Sequence, residues 1–241
     1  MLYLFQKGFH YNQDGPGNRL IYHLQGCNLR CPWCSNPEGL SFTGGTGYAV
    51  SSLVDEVKRS RPMFFDGGGL TLTGGEVTCQ ADAALRLLRE THEMGVSTCI
   101  ETNGISERLP EFFPYLDLLI MDVKHHDPET HRAVTGAPNG RTLANLARAL
   151  QSGVKTLVRI PLIGTFNASE ADARAFAAFF RSVKEYGDLA VELLSYHEYG
   201  RTKYEKLGLP YTMGKDAFVS KEAFRKFADI LREADVKLIT T

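Results

Sequence analysis

Arg19-Leu20-Ile21-Tyr22-His23-Leu24-Gln25-Gly26-Cys27-Asn28-Leu29-Arg30-Cys31-Pro32-Trp33-Cys34 is the stretch on which the reading of this chain turns. Its first seven residues are a β-branched and aromatic run of strand type. A glycine follows, then three cysteines within eight residues, spaced C-x3-C-x2-C. A short loop of that kind brings three thiolates around one soft iron–sulfur centre. Cys79 and Cys99 lie in other segments, so no nearby cysteine supplies a fourth thiolate. A [4Fe–4S] cube held by three cysteines leaves one iron open. The alternatives are a structural zinc ion, for which His23 is the nearest histidine, and chance clustering. Closed zinc sites, however, use paired C-x2-C or histidine spacings that this stretch lacks.

Working outward, short apolar runs alternate with amphipathic ones. The pattern predicts strands at Arg19–Gln25, Leu70–Thr73, Val96–Glu101, Leu116–Met121, Lys155–Pro161, Ala190–Leu194 and Val236–Ile239. Helical patterns fall at Ser51–Arg59, Gln80–Met94, Thr142–Gln151, Ser169–Tyr186 and Lys221–Ala234. In the second of these Ala84, Leu85, Leu87 and Leu88 share one side. Gly95 and Gly153 are the expected helix stops. Repeated strand–helix units imply α/β architecture with a parallel sheet, either a full or partial barrel or an open doubly wound sheet. A barrel would carry its site at the C-terminal ends of the strands. With no repeat, low-complexity tract or linker, residues 1–241 read as a single domain.

Composition narrows the function. Apolar residues make up 43% of the 241 and charged residues 23%, enough for a sizeable core. The formal net charge of −1 with scattered Lys and Arg leaves no basic footprint for nucleic acid. No charge-free stretch is long enough to span a bilayer. Met1 to Phe9 is apolar but too short, with Lys7, for a signal segment. A cytoplasmic protein without membrane or nucleic-acid partners is expected, and clustered cysteines in a reducing compartment point to metal.

The loop C-x3-C-x2-C after the first strong strand is the signature of radical S-adenosylmethionine enzymes. The wider stretch from Asp14-Gly15-Pro16-Gly17-Asn18-Arg19 through Cys34-Ser35-Asn36-Pro37 resembles the glycyl-radical-enzyme activating family. So do Thr73-Gly74-Gly75-Glu76, Glu101-Thr102-Asn103-Gly104, Asp122-Val123-Lys124 and Val191-Glu192-Leu193-Leu194-Ser195-Tyr196-His197. That resemblance implies a partial TIM-type (β/α)6 barrel and a [4Fe–4S] cluster on Cys27, Cys31 and Cys34 whose open iron chelates S-adenosyl-L-methionine. It further implies a flavodoxin or ferredoxin as electron donor and a backbone glycine of a glycyl-radical enzyme as the site of hydrogen abstraction.

The resemblance assigns further residues, each with a plainer alternative. Glu76, after Gly74 and Gly75, is expected to hold the methionine ammonium; the triplet can equally be a strand-end turn. The glycines would let a ligand approach the backbone closely. Glu101 and Asn103 are expected at the ribose or a monovalent-cation site, although better-known members carry aspartate where Glu101 stands; Asn-Gly turns are otherwise common. Asp122 and Lys124 share one strand face and would point toward the barrel mouth. Arg159, mid-strand, would demand a partner, for which a carboxylate of the cofactor is one candidate. His197 is placed near the adenine and methionine pocket or on the surface. Trp33 and Asn36 would pack beside the cluster or the adenine. Cys79 and Cys99 read as ordinary buried cysteines, and Gly67-Gly68-Gly69 as a flexible turn. About forty cysteine-free residues separate Cys34 from Gly74, so the ferredoxin-like insert of many relatives is absent. Two other functions stay open: a radical enzyme acting on a small molecule or another peptide, and a metal-stabilised non-enzymatic binding module.

Overall fold

A computed structural model describes residues 1–240; Thr241, part of the expected 1–241 domain, lies outside the described residues. The strands are β1 (Leu2–Tyr11), β2 (Asn18–Leu24), β3 (Thr46–Tyr48), β4 (Gly69–Gly74), β5 (Ser97–Thr102), β6 (Leu118–Asp122), β7 (Thr156–Leu162), β8 (Leu189–Ser195) and β9 (Leu238–Ile239). The helices are α1 (Val50–Ser60), α2 (Ala81–Glu93), α3 (Pro128–Thr135), α4 (Gly140–Gln151), α5 (Glu170–Val183), α6 (Arg201–Lys206) and α7 (Lys221–Glu233). They form one sheet in the order β3-β1-β2-β4-β5-β6-β7-β8-β9. From β2 onward neighbours run parallel, while β1 is antiparallel to β2 and β3. The terminal strands do not pair with each other, so this is a partial barrel and not a closed one. Among the described residues no helix is long and apolar enough to cross a membrane.

Every strand predicted from the sequence is present. The unit between β5 and β6 departs from strict alternation: two short 3-10 turns, Leu109–Glu111 and Phe113–Tyr115, replace a helix. The predicted helix Ser169–Tyr186 ends at Val183, and its last residues tighten into a 3-10 turn. Gly95 and Gly153 do terminate helices, at φ +69° and +83°. In α2, Ala84, Leu87 and Leu88 are fully buried while Leu85 reaches only the margin. The apolar run Met1–Phe9, for which the pattern predicted no element, lies in strand β1, whose Leu2 and Leu4 are buried and Tyr3 exposed.

Period-two alternation divides the sheet chemically. Leu20, Tyr22, Leu24, Leu72, Ile100, Met121, Val158, Ile160 and Val191 face the helices and form the main core. The opposite parity puts Arg19, His23, Thr71, Thr73, Glu101, Asp122, Arg159 and Glu192 on the concave face. Arg19 is 1% exposed there. Its Nε donates to Thr71 Oγ1 at 2.7 Å and its Nη2 to the carbonyls of Leu70 and Ser97 at 2.7 and 3.2 Å. The Gly67-Gly68-Gly69 run is corrected from a flexible turn to a packed one. A Cβ on Gly68 would stand 2.0 Å from the Asn18 carbonyl, and one on Gly69 2.0 Å from that of Ser97.

Arg19→Met strips donors from buried carbonyls and the Thr71 hydroxyl. The expected loss is about 2–4 kcal/mol of unfolding free energy, read from urea denaturation. An unchanged urea midpoint would contradict this role.

Candidate active site

At the C-terminal ends of the parallel strands lies a cavity of about 240 Å³. Thirteen of the fourteen expected site residues line it: Cys27, Cys31, Trp33, Cys34, Asn36, Gly74, Gly75, Glu76, Glu101, Asn103, Asp122, Lys124 and His197. They come from the loop after β2 and from the ends of β4, β5, β6 and β8, which the parallel register brings side by side.

Backbone contacts fasten the cysteine loop to β4. The Gly75 N–H donates to the Leu24 carbonyl at 2.8 Å, and the Glu76 N–H to the Gly26 carbonyl at 2.7 Å. A Cβ on Gly75 would come within 2.2 Å of the Gly26 oxygen and 2.6 Å of the Gly39 oxygen. Gly74 has φ +110°. The reason for glycine at Gly75 is therefore corrected: backbone packed on backbone already demands it, before any ligand approaches. Glu76 is 1% exposed. Its Oε1 accepts from Thr78 N (3.0 Å), Thr78 Oγ1 (2.7 Å) and Thr102 Oγ1 (2.7 Å), and its Oε2 from Asn103 N (2.8 Å). Oε1 thus holds three donors and Oε2 only one, so Oε2, with two lone pairs, keeps room for one more.

All three clustered cysteines are free thiols. Burial pushes Cys27 and Cys31 up to about 12 and raises Cys34 as well. The Leu29 and Asn36 amides, each 3.4 Å from a sulfur, pull the other way, as does Lys124 on Cys31 and Cys34. Such thiols become thiolates when a cation joins them. Among the described residues the one set of three His, Cys, Asp or Glu side chains with ligand atoms all within 4.8 Å of one another is His125, His126 and Asp172. Cys27, Cys31 and Cys34 all line the cavity and offer sulfur ligands alone. That purely thiolate donor set fits an iron–sulfur cluster. His23 does not line the cavity, so it completes no zinc site. The His125 set is itself poorly suited to metal: His125 Nδ1 accepts the Asp127 N–H at 2.8 Å, which leaves the ring proton on Nε2.

The charged side chains find partners within the protein. Lys124 is buried and its Nζ lies 2.6 Å from Asp122 Oδ2. Burial works against its charge, but Asp122 and Cys31 outweigh this and hold the ammonium above its ordinary value. Arg159 corrects an expectation. It does not line the cavity, and its partners are Glu101, Glu192 Oε2 at 2.9 Å and the Gln13 carbonyl at 2.7 Å. No cofactor carboxylate is needed to compensate it. Glu101 also accepts from Thr73 Oγ1 at 2.8 Å. Burial pushes its carboxyl up to about 7, with Arg159 pulling it back down. Asn103 Nδ2 donates to Asn28 Oδ1 at 2.7 Å, so it braces the cysteine loop.

Trp33 lies on Phe166, ring centroids 5.0 Å apart, and His197 stacks on Tyr199 at 4.0 Å. Asn36 Oδ1 accepts from Lys203 Nζ at 3.0 Å. Lys203 belongs to α6, which the sequence reading missed. Tyr204 of the same helix points its hydroxyl at the Cys31 carbonyl (3.5 Å), and a Cβ on Gly200 would meet the Cys34 carbonyl at 2.3 Å. Six polar residues without apolar period give no helix signal. Thr102, whose hydroxyl the Glu101-Thr102-Asn103 motif offers to a ribose or a cation, instead donates to Glu76 Oε1 at 2.7 Å. Cys99 is buried as expected; Cys79 is only half-buried.

Comparison with known proteins adds the following. The family model described as Radical SAM superfamily matches residues 21–177. The pyruvate formate-lyase-activating enzyme of Clostridium pasteurianum is 34% identical over 91% of this chain and 92% of its own length. The choline trimethylamine-lyase activating enzyme of Oleidesulfovibrio alaskensis is 29% identical, covering 92% of each chain. That alignment runs over 285 positions, more than this chain's 241, so that relative carries inserted residues which this chain lacks. In fold, the chain matches the structure of a radical SAM methyltransferase from Sphaerobacter thermophilus with TM-score 0.67 at 19% identity, covering 97% of this chain and 68% of the other.

Glu101 sets a pH dependence. Its folded value lies above the ordinary 4.5, so between 4.5 and about 7 the folded state binds a proton that the unfolded state has released. Stability therefore falls as pH rises through that window. Between pH 5 and pH 8 the wild type is expected to lose about 1–2 kcal/mol more than Glu101→Gln in urea denaturation. Parallel pH profiles for the two proteins would contradict it.

Proposed function

This chain belongs to the radical SAM superfamily and, within it, to the glycyl-radical enzyme activating enzymes, and from that membership we propose that it abstracts hydrogen from a backbone glycine of a partner glycyl-radical enzyme. It is a radical SAM activase whose cofactors are a [4Fe–4S] cluster and S-adenosylmethionine. Cys27, Cys31 and Cys34 would hold the cluster. When bound, the two groups together supply a reductively generated carbon radical able to take a hydrogen atom from glycine.

The chain's own residues bind, orient and exclude water. Glu76 offers the remaining acceptor position on Oε2 to the methionine ammonium, beside Gly74 and Gly75. The Asp122–Lys124 pair sets fixed charge at the opposite wall, where a carboxylate and a ribose need donors and acceptors. His197, Trp33, Asn36 and Asn103 complete the rim around the adenosine. Leu29, Leu40, Pro161 and Ile163 give the cavity an apolar lining that keeps a reactive intermediate from solvent. Glu101, paired with Arg159, already has a resident cation in the guanidinium, and any monovalent ion would have to share it. A flavodoxin or ferredoxin is the proposed electron donor, and the setting a reducing cytoplasm.

One observation carries this reading: thirteen residues expected for this chemistry line a single cavity, the three thiols among them. The test is anaerobic. Reconstituted protein, a one-electron reductant and S-adenosylmethionine are mixed with each glycyl-radical enzyme encoded beside this chain. A glycine-centred EPR doublet is expected on one partner, with Cys31→Ala giving none. No doublet with any partner, alongside turnover of a small molecule, would replace the activase by a different radical enzyme.

A further inference from the structure

The cysteine loop has two sides. Cys27, Leu29 and Cys31 line the cavity, while the residues between them, Asn28 and Arg30, are exposed and line no part of it. Asn28 borders a shallow groove together with Arg141 of α4. Arg141 continues into a second groove of about 600 Å³, shared with Arg132 of α3 and Arg148 of α4. Ile105 lines both grooves and packs against the apolar cluster that contains Cys27 and Cys31. The Arg30 N–H donates to the Thr135 carbonyl at 2.8 Å and so fastens the loop to the end of α3.

This outer surface is rich in positive charge. Arg30, Arg132, Arg141 and Arg148 are all exposed, and Arg141, Ala144 and Arg148 share one face of α4. Glu129 lies 3.6 Å from Arg132, and Glu107 lies 2.5 Å from Arg141. Exposed pairs of this kind are weak and readily exchanged for a better partner. Arg30 Nη1 donates to the carbonyls of Cys27 and Leu29 at 2.6 and 2.7 Å. Neither Arg30 nor Arg148 forms an ion pair among the described residues, whereas Arg108 nearby is taken up by Asp82 and Glu111. The whole chain carries a formal charge of −1, so the excess here is local. Arginine is the cation enriched at protein interfaces. No aromatic side chain lines either groove, so the bases of a nucleic acid would find no stacking platform.

We propose that this arginine surface docks an acidic one-electron carrier protein, and that the electron enters the cluster through the outer side of the cysteine loop. The cavity side must stay free for the cofactor and the partner's glycine, so the carrier needs another approach. Electron transfer weakens steeply with distance, and Asn28 and Arg30 bring the outer surface within one residue of Cys27 and Cys31. In the step itself the carrier loses one electron and the cluster gains one; no bond forms or breaks. The proposal rests on the activase reading and adds where its electron donor binds.

The probe is an acidic flavodoxin. Its hydroquinone reduces cluster-loaded protein in a stopped-flow experiment, and its oxidised form is titrated into the same protein by calorimetry. Arg132→Glu/Arg148→Glu is expected to slow reduction about tenfold at low ionic strength and to weaken binding by a similar factor. The gap from wild type should close as salt is added. A charge-matched control on α1 and α7, Arg59→Glu/Arg225→Glu, is expected to stay within about twofold of wild type. Photoexcited deazaflavin, too small to need a docking surface, should reduce all three proteins at one rate. Equal slowing in the control would trace the effect to total charge, and slowed deazaflavin reduction would trace it to a damaged loop. Either result, or an unchanged flavodoxin rate, overturns the proposal. With deazaflavin as reductant the wild type still raises the glycyl doublet when the docking surface is wrong, and raises none when the activase reading is wrong.

Discussion

Glu76 is where the site is assembled. Its amide reaches the Gly26 carbonyl at the head of the cysteine loop, and its carboxylate gathers Thr78, Thr102 and the Asn103 amide. One buried side chain thereby ties the end of β4 to the segments after β2 and β5. Buried carboxylates are tolerated when their lone pairs are filled, and here the scaffold fills most of them. The residue is then positioned to within hydrogen-bond tolerance before any ligand arrives, which is what a site that must control a radical requires.

The sheet separates two kinds of energy. Toward the helices it buries aliphatic and aromatic side chains, and that face supplies stability. On its concave face it buries Arg19, Glu101, Arg159 and Glu192, Arg19 held by Thr71 of the neighbouring strand and Arg159 paired with Glu192 next to it and Glu101 two strands away. Ion pairs of this kind contribute little net stability against an apolar core of the same volume, yet breaking one partner is costly. A polar concave face is therefore kept for what it can bind, and the pairs fix the spacing of the strands around it.

Much of this was legible in the sequence because it depends on spacing and period. Buried β2 reads as a continuous strand, and the cysteines, Gly74-Gly75-Glu76, Glu101-Thr102-Asn103 and Asp122-Val123-Lys124 all stand at strand ends, where parallel topology collects them. What was not legible depends on reach in three dimensions. Arg159 meets Glu192 as its register neighbour on β8 and reaches across β6 to Glu101 of β5, pairings that no local pattern encodes. The longer side chain of Glu101 was read as doubt about a cation site, while in the fold it reaches a guanidinium. Helix α6 has too few residues and too little apolar period to announce itself, although it covers the cysteine loop. Strand β1 was hidden because a short apolar lead resembles many things, and only its pairing with β2 makes it a strand.

The central claim is that three thiolates hold a cluster whose remaining iron is left for the cofactor. Mössbauer spectroscopy of iron-57-reconstituted protein, recorded before and after addition of S-adenosylmethionine, tests it most directly. One iron in four should change its isomer shift on addition while the other three do not. Four irons indifferent to the cofactor, or a protein that takes up zinc and no sulfide under the same conditions, would contradict the account.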